Sequence, residues 1–214
     1  MASQSHITVI LDRTGSMAGI RQDVIGGFNA FLHKQQALPD TASFTLVQFD
    51  SQDPYEVLQK AVPIAQAQAL TMDTYVPRAS TPLYDAIGRG ILDLEVTLAE
   101  MRDAERPAQV VFVIVTDGEE NASRDFDRAR VTRLISAKKK LGWQFVFLSA
   151  DVAAFADAGR MGVQADERLY FDLSKQGNDA AWASVSDKLG KFRSGRASKV
   201  AFDEDDRKAQ PPLK

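Results

Sequence analysis

The segment His6–Met17, with the sequence HITVILDRTGSM, constrains the fold of this chain more than any other stretch. Its apolar run, Ile7–Leu11, is typical of a buried central strand in a parallel sheet. The run ends at the carboxylate of Asp12, and hydroxyl side chains follow at Thr14 and Ser16. Oxygen donors at alternate positions of a loop suit a small divalent cation such as Mg²⁺. Because open α/β sheets bind ligands at the carboxyl ends of their strands, we expect a binding site in this loop.

A second apolar run, Gln109–Val115, also ends in a polar loop, which contains Asp117. Around the two runs, segments with the 3.6-residue period of amphipathic helices alternate with strand-like segments. The predicted helices span residues 17–36, 82–101, 127–141, 152–161 and 177–193, and the further predicted strands span residues 42–50, 55–62, 143–148 and 168–171. This alternation predicts an α/β fold with a doubly wound, mainly parallel sheet and helices on both faces.

Two connections refine this prediction. The strands at 42–50 and 55–62 are joined by a short turn, so we expect them to pair antiparallel at the sheet edge. Asp50 and Asp53 lie at this connection and are interpreted as turn residues. At the middle helix, Thr81 is the expected N-cap and Pro82 the first helical residue.

The composition excludes several classes of protein. The chain has 214 residues, of which 44% are hydrophobic and 26% are charged, as in one ordinary globular domain. A net charge of −3 provides no basic field for nucleic acid. With no cysteine and only His6 and His33, the chain cannot form disulfides, thiolate ligands or a multi-histidine zinc site. The N-terminal residues lack a basic segment, and the apolar run that follows is too short for a signal peptide or a membrane span. We therefore expect a cytoplasmic protein without a membrane anchor.

We expect residues 1–194 to form one domain and residues 195–214 to form a charged tail whose polar composition is compatible with disorder. The tail carries an acidic cluster, Asp203–Asp206. These acids could supply a carboxylate to the metal site, in the same chain or in a neighbour. The simpler interpretation, which we favour, is that they begin a short terminal helix or stay in solvent.

Oxygen-rich side chains lie on three separate loops of the predicted fold. If the two central strands are neighbours, Asp12 and Asp117 face each other across the crevice where the strand order reverses. Two carboxylates brought that close repel each other and need a counter-ion. A divalent cation supplies it, and the hydroxyls of Thr14, Ser16 and Thr81 can complete an oxygen shell with water.

Together, these motifs resemble the metal-ion-dependent adhesion site of von Willebrand factor A-like domains. The first motif is D-x-T-x-S at Asp12–Ser16, the second is the lone Thr81 in STPLYDAIG, and the third is Asp117 in VTDGEEN. Thr14 stands where the family usually has serine, which preserves the oxygen donor. The resemblance covers roughly residues 7–171, and it depends on the three motifs occurring in order on the predicted elements.

This resemblance implies a Rossmann-like, six-stranded sheet, mainly parallel, with one antiparallel edge strand. It also implies that Thr14 and Ser16 bind a metal ion directly, while Asp12, Thr81 and Asp117 bind it directly or through water. In this family the free position of the metal commonly accepts a carboxylate from a partner protein. Family members in bacteria and their viruses often act inside the cell without added adhesion domains, and this chain is similar to those.

Each candidate also has an ordinary structural interpretation. Ser16 could simply cap the first helix, and Asp117 could simply form its turn. Asp85 fits a charge at a helix N-terminus, or an acceptor that orients a metal ligand, better than a ligand itself. Glu119 and Glu120 could form an acidic rim or be merely solvated.

The leading interpretation is a non-enzymatic, metal-dependent protein-binding module. Mg²⁺ is the expected ion, with Mn²⁺ as a substitute. The expected partner is a protein that presents an aspartate or glutamate to the ion, and a second copy of this chain is one candidate. One alternative is a Mg²⁺-dependent phosphoryl-transfer enzyme. Against it, Thr14 stands where an Asp-x-Asp phosphatase needs a second aspartate, and the sequence has no lysine beside the three loops and no phosphate-binding G-K-[ST] loop. Another alternative is a scaffold whose metal site is purely structural.

Overall fold

A computed structural model describes residues 4–210 of the chain. The strands are β1 (Ser5–Asp12), β2 (Ala42–Phe49), β3 (Glu56–Pro63), β4 (Gln109–Thr116), β5 (Gln144–Ser149) and β6 (Arg168–Tyr170). The helices are α1 (Arg21–Gln36), α2 (Leu83–Glu100), α3 (Arg128–Lys139), α4 (Val152–Arg160), α5 (Lys175–Arg193) and α6 (Glu204–Lys208). A 3₁₀ segment, Gly15–Ile20, joins β1 to α1, so the first predicted helix begins in a tighter form.

The six strands form one sheet in the order β3-β2-β1-β4-β5-β6. Strand β1 pairs in parallel with β2 on one side and with β4 on the other, whereas β3 pairs antiparallel with β2 at the edge. The predicted doubly wound sheet with one antiparallel edge strand is therefore confirmed. Because the chain leaves β1 toward β2 and later returns to its other side as β4, the carboxyl ends of β1 and β4 flank a crevice.

The side chains of the central strands point alternately to the two faces of the sheet, so the hydrophobic core is divided into two clusters, one on each face. Ile7, Val9 and Leu11 pack in the cluster that contains α1 and α5. Ile10 packs in the opposite cluster, beneath α2 and α3. Successive strand side chains point to opposite faces, so Asp12 belongs to the same face as Ile10.

The predicted apolar faces of the helices are buried as expected. On α1 the buried residues include Val24, Phe28 and Phe31, and on α5 they include Trp182. The Trp182 and Phe28 rings meet edge to face, with their centroids 5.8 Å apart, and hold these two helices together on one face of the sheet. Among residues 4–210, no helix combines the length and the apolar character that a membrane span requires.

Residues 195–210 are packed against the domain, in contrast to the disorder considered for this segment. Val200 and Phe202 are buried in the core, and Phe202 N–H donates to the carbonyl of Asp166 just before β6. Two apolar anchors within a charged stretch are enough to hold it in place. The last four residues of the predicted tail, 211–214, and the first three of the predicted domain lie outside the described residues.

The acidic cluster at 203–206 has a structural role at the amino-terminal ends of the strands, on the side of the sheet away from their carboxyl ends. Asp203 caps α6 by accepting from Asp206 N–H, and both acids pair with Lys188 on α5, at 2.6 and 2.9 Å. This arrangement agrees with the simpler interpretation, a short terminal helix. The two acids therefore do not supply a carboxylate to the Asp12 loop of the same chain.

Replacing His6 with glutamine should reduce the loss of stability in mild acid. His6 is fully buried on β1, with Nδ1 2.7 Å from Ser43 Oγ and Nε2 3.1 Å from Thr8 Oγ1, and burial lowers its pKa from 6.5 to about 4. The unfolded chain takes up a proton near pH 6.5 and the folded chain does not. The histidine therefore lowers the free energy of unfolding by about 3 kcal/mol as the pH falls across this interval. Urea denaturation at several pH values measures the effect.

Glutamine preserves hydrogen bonding at position 6 but does not titrate, so the difference between the two proteins isolates the histidine. All other ionisable groups are common to both chains. Parallel stability curves for parent and H6Q between pH 6.5 and about 4 would contradict this assignment.

Candidate metal centre

The carboxylate of Asp12 links the two central strands at their carboxyl ends. Asp12 is the last residue of β1 and is fully buried. Its Oδ1 accepts from the backbone N–H of Thr14 at 2.6 Å, and its Oδ2 accepts from the hydroxyl of Thr116, the last residue of β4, at 2.6 Å. The orientation of the Asp12 side chain is thus fixed by a loop amide on one oxygen and by the neighbouring strand on the other.

The charge on Asp12 is poorly compensated by these contacts. Burial raises its pKa from 3.8 to about 7, although the hydrogen bonds from Thr116 and Thr14 oppose the shift, and the nearby charge of Asp117 raises it further. A buried carboxylate is costly unless a positive charge lies beside it. A cation at this point would provide that compensation.

Two of the three loops contribute to one hydrogen-bonded cluster with Asp12: the first loop, which follows β1 and carries Thr14 and Ser16, and the third loop, which follows β4 and carries Asp117. Thr14 Oγ1 lies 3.1 Å from Ser16 Oγ, and Ser16 Oγ donates to Asp117 Oδ1 at 2.6 Å. Burial also raises the pKa of Asp117. Thr14 is buried and Ser16 is exposed, so the cluster extends from the interior at Asp12 to solvent at Ser16.

Thr81 is not the N-cap of α2, and that prediction is wrong. Helix α2 begins at Leu83, Pro82 occupies the cap position, and its carbonyl accepts from Ala86 N–H. Among the described residues, the side chain at the N-cap position accepts no hydrogen bond from the amides of the first turn of α2. Sequence reasoning placed the helix start one residue early, an error that is common at helix ends.

The loop after β4 supplies the caps that α2 needs. Glu120 Oε2 accepts from Tyr84 N–H at 2.9 Å, and Ser123 Oγ accepts from Asp85 N–H at 3.0 Å. Asn121 Oδ1 accepts from Thr81 N–H at 2.9 Å. The amides at this helix start are therefore satisfied from outside, and the Thr81 hydroxyl is not needed for capping.

The Thr81 hydroxyl lies beside the cluster instead. A methyl group built on Gly118 would be 3.7 Å from Thr81 Oγ1 and 3.8 Å from Ser16 Oγ. The second loop, which precedes α2 and carries Thr81, thus reaches the same small volume as the first and the third. All five residues predicted as metal ligands are brought to this edge of the sheet: Asp12, Thr14, Ser16, Thr81 and Asp117.

The carboxylates of Asp85 and Glu120 hold the third loop in place by accepting hydrogen bonds from its backbone N–H groups. Asp85 is buried and accepts from the backbone N–H groups of residues 124–126 at 2.8 to 3.0 Å. Asp85 lies in the first turn of α2, which agrees with the interpretation as a charge at a helix N-terminus, and the amides that it accepts from do not belong to proposed metal ligands. Glu120 also accepts from the amides of Ala122 and Ser123, so it is a capping residue and not part of a solvated acidic rim. Glu119 is exposed.

Three contributors to the site were missed by sequence reasoning. Thr116 adjoins Asp117 in the TDG turn, and its position at a strand end could have indicated its role. Tyr75 Oη donates to the carbonyl of Asp12 at 2.6 Å, and burial raises the pKa of this phenol well above its usual value, so the proton stays in place. Tyr75 lies in a segment without periodicity, so no sequence signal pointed to it. Asp50, interpreted as a turn residue, also binds two arginines.

The donor set fits Mg²⁺ or Mn²⁺. The atoms that converge are carboxylate and hydroxyl oxygens, which are the hard ligands these ions prefer. Within residues 4–210, no three or more histidine, cysteine, aspartate or glutamate side chains gather in a metal-binding group. A cation at this edge would therefore depend on the hydroxyls as much as on the carboxylates.

Comparisons with known proteins give matches in structure and none in sequence. No protein-family model matches the chain, and no curated protein matches its sequence. Proximal thread matrix protein 1 from the mussel byssus is similar over 86% of this chain and 48% of its own, with 13% identity and a TM-score of 0.61. The present chain thus spans about half the length of that protein. A further structure of the mussel protein has a zinc-occupied MIDAS motif.

Two other solved structures have the same architecture. Manganese-loaded TRAP protein from Plasmodium vivax matches 80% of this chain and 70% of its own, with 15% identity and a TM-score of 0.55. A von Willebrand factor type A protein from Catenulispora acidiphila matches 87% of this chain and 42% of its own, with 12% identity and a TM-score of 0.56. At these identities the likeness concerns the fold.

Replacing Asp12 with asparagine should stabilise the metal-free protein at about pH 8. A carboxyl whose pKa is raised on folding, here from 3.8 to about 7, lowers stability as the pH rises through that interval. The full effect is at most about 4 kcal/mol of unfolding free energy, and asparagine removes it while retaining an acceptor for Thr14 N–H. Urea denaturation in the presence of EDTA measures the difference, which should shrink toward about pH 4.

Asp50 provides a matched contrast for this measurement, because it is equally buried but binds two arginines. Asp50→Asn should therefore destabilise the protein under the same conditions. If D12N were less stable than the parent in EDTA at about pH 8, the view that its charge is uncompensated would be wrong.

Proposed function

We propose that this chain, which has the fold of von Willebrand factor A domains, is a metal-dependent protein-interaction module. The proposed ligands of the ion are Asp12, Thr14, Ser16, Thr81 and Asp117, and the proposed ion is Mg²⁺, with Mn²⁺ as a substitute. The observation that carries the proposal is the convergence of oxygen donors from three loops on one volume that opens to solvent at Ser16.

The proposed partner is a protein that presents an aspartate or glutamate to the ion. A bound divalent cation supplies a Lewis acid with a position for one further oxygen ligand. Three of the five proposed donors are neutral hydroxyls, which leave the ion more electrophilic than an all-carboxylate shell would. A carboxylate from another chain is the natural ligand for such a position. The mussel and Plasmodium structures, with zinc and manganese respectively, support a divalent ion in this fold.

A binding role is favoured over phosphoryl transfer by the surroundings of Arg13. This is the cation nearest in sequence to the proposed ligands, and it is buried and turned away from them toward Asp50 and Glu56. Phosphoryl transfer needs positive groups directed at the transferring phosphate. Phosphatase activity that disappears in an Asp12→Asn protein would favour the enzyme instead. We further propose that the module acts in the cytoplasm.

Gly118→Ala should block the site while leaving the fold intact. The added methyl group would make ordinary van der Waals contacts with Thr81 Oγ1 and Ser16 Oγ, at 3.7 and 3.8 Å, and would occupy the space between the proposed donors. Mn²⁺ affinity, measured by titration calorimetry, should fall by at least about tenfold, with the melting temperature in EDTA nearly unchanged. Gly26→Ala is the matched control, because a methyl group there meets no described atom within 4 Å outside the neighbouring residues and the backbone of its own helix.

If the parent protein takes up no Mg²⁺ or Mn²⁺ at millimolar concentrations, the proposed function fails. If the parent binds Mn²⁺ and G118A binds it equally well, the ion lies elsewhere. The two results are therefore distinguishable.

Capture of a partner should depend on both the cation and Asp12. In a co-purification from cells that express the protein, a specific partner should be retained with Mg²⁺ and lost with EDTA, and Asp12→Ala should lose it in both conditions. Asp187→Asn is a suitable control, because Asp187 is an exposed acid on α5 that pairs with Lys191. A partner that ignores both the chelator and the Asp12 substitution would contradict metal-dependent binding.

A further inference from the structure

Asp50 is a buried carboxylate that touches none of the proposed metal ligands. It follows β2 directly and is fully buried. Its Oδ1 accepts from the N–H groups of Gln52 and Asp53, at 2.7 and 3.1 Å, and this holds its own turn. Its Oδ2 accepts from two guanidinium groups, Arg13 Nε at 2.7 Å and Arg78 Nε at 2.9 Å.

The two arginines belong to the two loops that must meet at the metal centre. Arg13 lies between Asp12 and Thr14 in the first loop, and Arg78 lies three residues before Thr81 in the second. A single oxygen of Asp50 therefore connects the loop that carries the first three proposed ligands to the segment that delivers the fourth. Arg13 also pairs with Glu56 on β3, so its side chain is held from two sides.

Backbone hydrogen bonds run parallel to this ionic link. Arg78 N–H donates to the Arg13 carbonyl at 2.8 Å, and Gly15 N–H donates to the Ala79 carbonyl at 3.0 Å. Ala79 has a φ of 60°, a left-handed conformation that is unfavourable for alanine and needs support from its neighbours. Segment 78–80 is thus held against the first loop in a strained form, and the side chain of Arg78 is anchored to Asp50.

The electrostatic balance at Asp50 is opposite to that at Asp12. Burial alone would raise the pKa of Asp50, but hydrogen bonds from Arg78, from the amides of Asp53 and Gln52, and from Arg13 lower it below its ordinary value. Asp50 is thus a charged anchor with its own cations, so it has no need of the metal ion that Asp12 requires.

We propose that Asp50 is a positioning residue of the metal centre: by binding Arg13 and Arg78 together, it sets the place of Thr81 relative to Thr14 and Ser16. The inference rests on the proposed function, because it concerns the same ion. It assigns to a residue outside the three motifs the task of bringing the second loop to the first.

The test uses Asp50→Asn and Arg78→Met in the full chain. Asparagine has the shape of aspartate, and its oxygen can still accept from Gln52 and Asp53, but its amide faces the two arginines and loses both bonds. Arg78→Met removes the link to the second loop alone, and because the Arg78 side chain is partly exposed, this variant remains usable if D50N does not fold. Each protein is checked for folding by circular dichroism and titrated with Mn²⁺ by calorimetry.

Both variants should bind Mn²⁺ about tenfold more weakly than the parent, as is typical when a partner of a metal ligand is removed. The decisive measurement is a double-mutant cycle with Thr81→Ala. If Asp50 acts by placing Thr81, the D50N/T81A protein should bind Mn²⁺ no more than about twofold more weakly than T81A alone, because the two changes remove the same interaction. A merely structural role would instead weaken binding by independent, multiplicative factors.

Asp93→Asn is the matched control, because Asp93 forms an ion pair of similar length with Lys60, at 2.6 Å, on the side of α2 facing β3. It should leave Mn²⁺ affinity unchanged. Multiplicative losses in the D50N/T81A cycle, or parent-like affinity in D50N and R78M, would overturn the inference, as would a T81A protein with full affinity. Failure of the parent itself to bind Mn²⁺ would instead refute the proposed function.

Discussion

The carboxylate of Asp12 is buried between the ends of β1 and β4, and the surrounding loops are arranged around that charge. Thr14 and Thr116 donate to its two oxygens, and Tyr75 donates to its carbonyl. The two threonine donors orient the side chain without neutralising it, and burial therefore raises the pKa of Asp12 to about 7 in spite of them. A fold that places an acid at this point creates a demand for a cation, and the hydroxyls around Asp12 make it possible to meet that demand with a metal ion.

Two buried aspartates close to each other in the sheet are thus stabilised in different ways. Asp50 receives two guanidinium groups, whereas Asp12 receives amide and hydroxyl hydrogens. The difference has a structural consequence: Asp50 can hold Arg13 and Arg78 in the absence of any ligand, so the two loops are already held together in the metal-free protein. Such preorganisation reduces the ordering cost of binding.

Much of the fold follows from the sequence because its signals are local. The apolar runs before Asp12 and Asp117, together with helical periodicity, predict the sheet and the convergence of the first and third loops. The short turn between the strands at 42–50 and 55–62 predicts the antiparallel edge. The helix start at Thr81 was misplaced, since its caps come from Glu120 and Ser123, about 40 residues away. No local pattern announces such distant donors.

The same limit applies to the residues that support the site. Tyr75 and Arg78 lie in a stretch without periodicity, and their roles depend on contacts across the crevice. The order of residues 195–210 depends on Val200 and Phe202 reaching the core, which composition averaged over a charged segment conceals. In each case, tertiary packing outweighs local preference.

The position of α6 has a geometric consequence. The helix lies near the start of β6, and the carbonyl of Gln4 accepts from the N–H groups of Ala108 and Gln109 at the start of β4, so both ends of the described chain lie at the amino-terminal ends of the strands, remote from Asp12. A molecule attached to a surface or bead near either described end would direct the carboxyl ends of its strands, where Asp12 lies, outward. Immobilisation near either described end is therefore compatible with access of a large molecule to the proposed metal site.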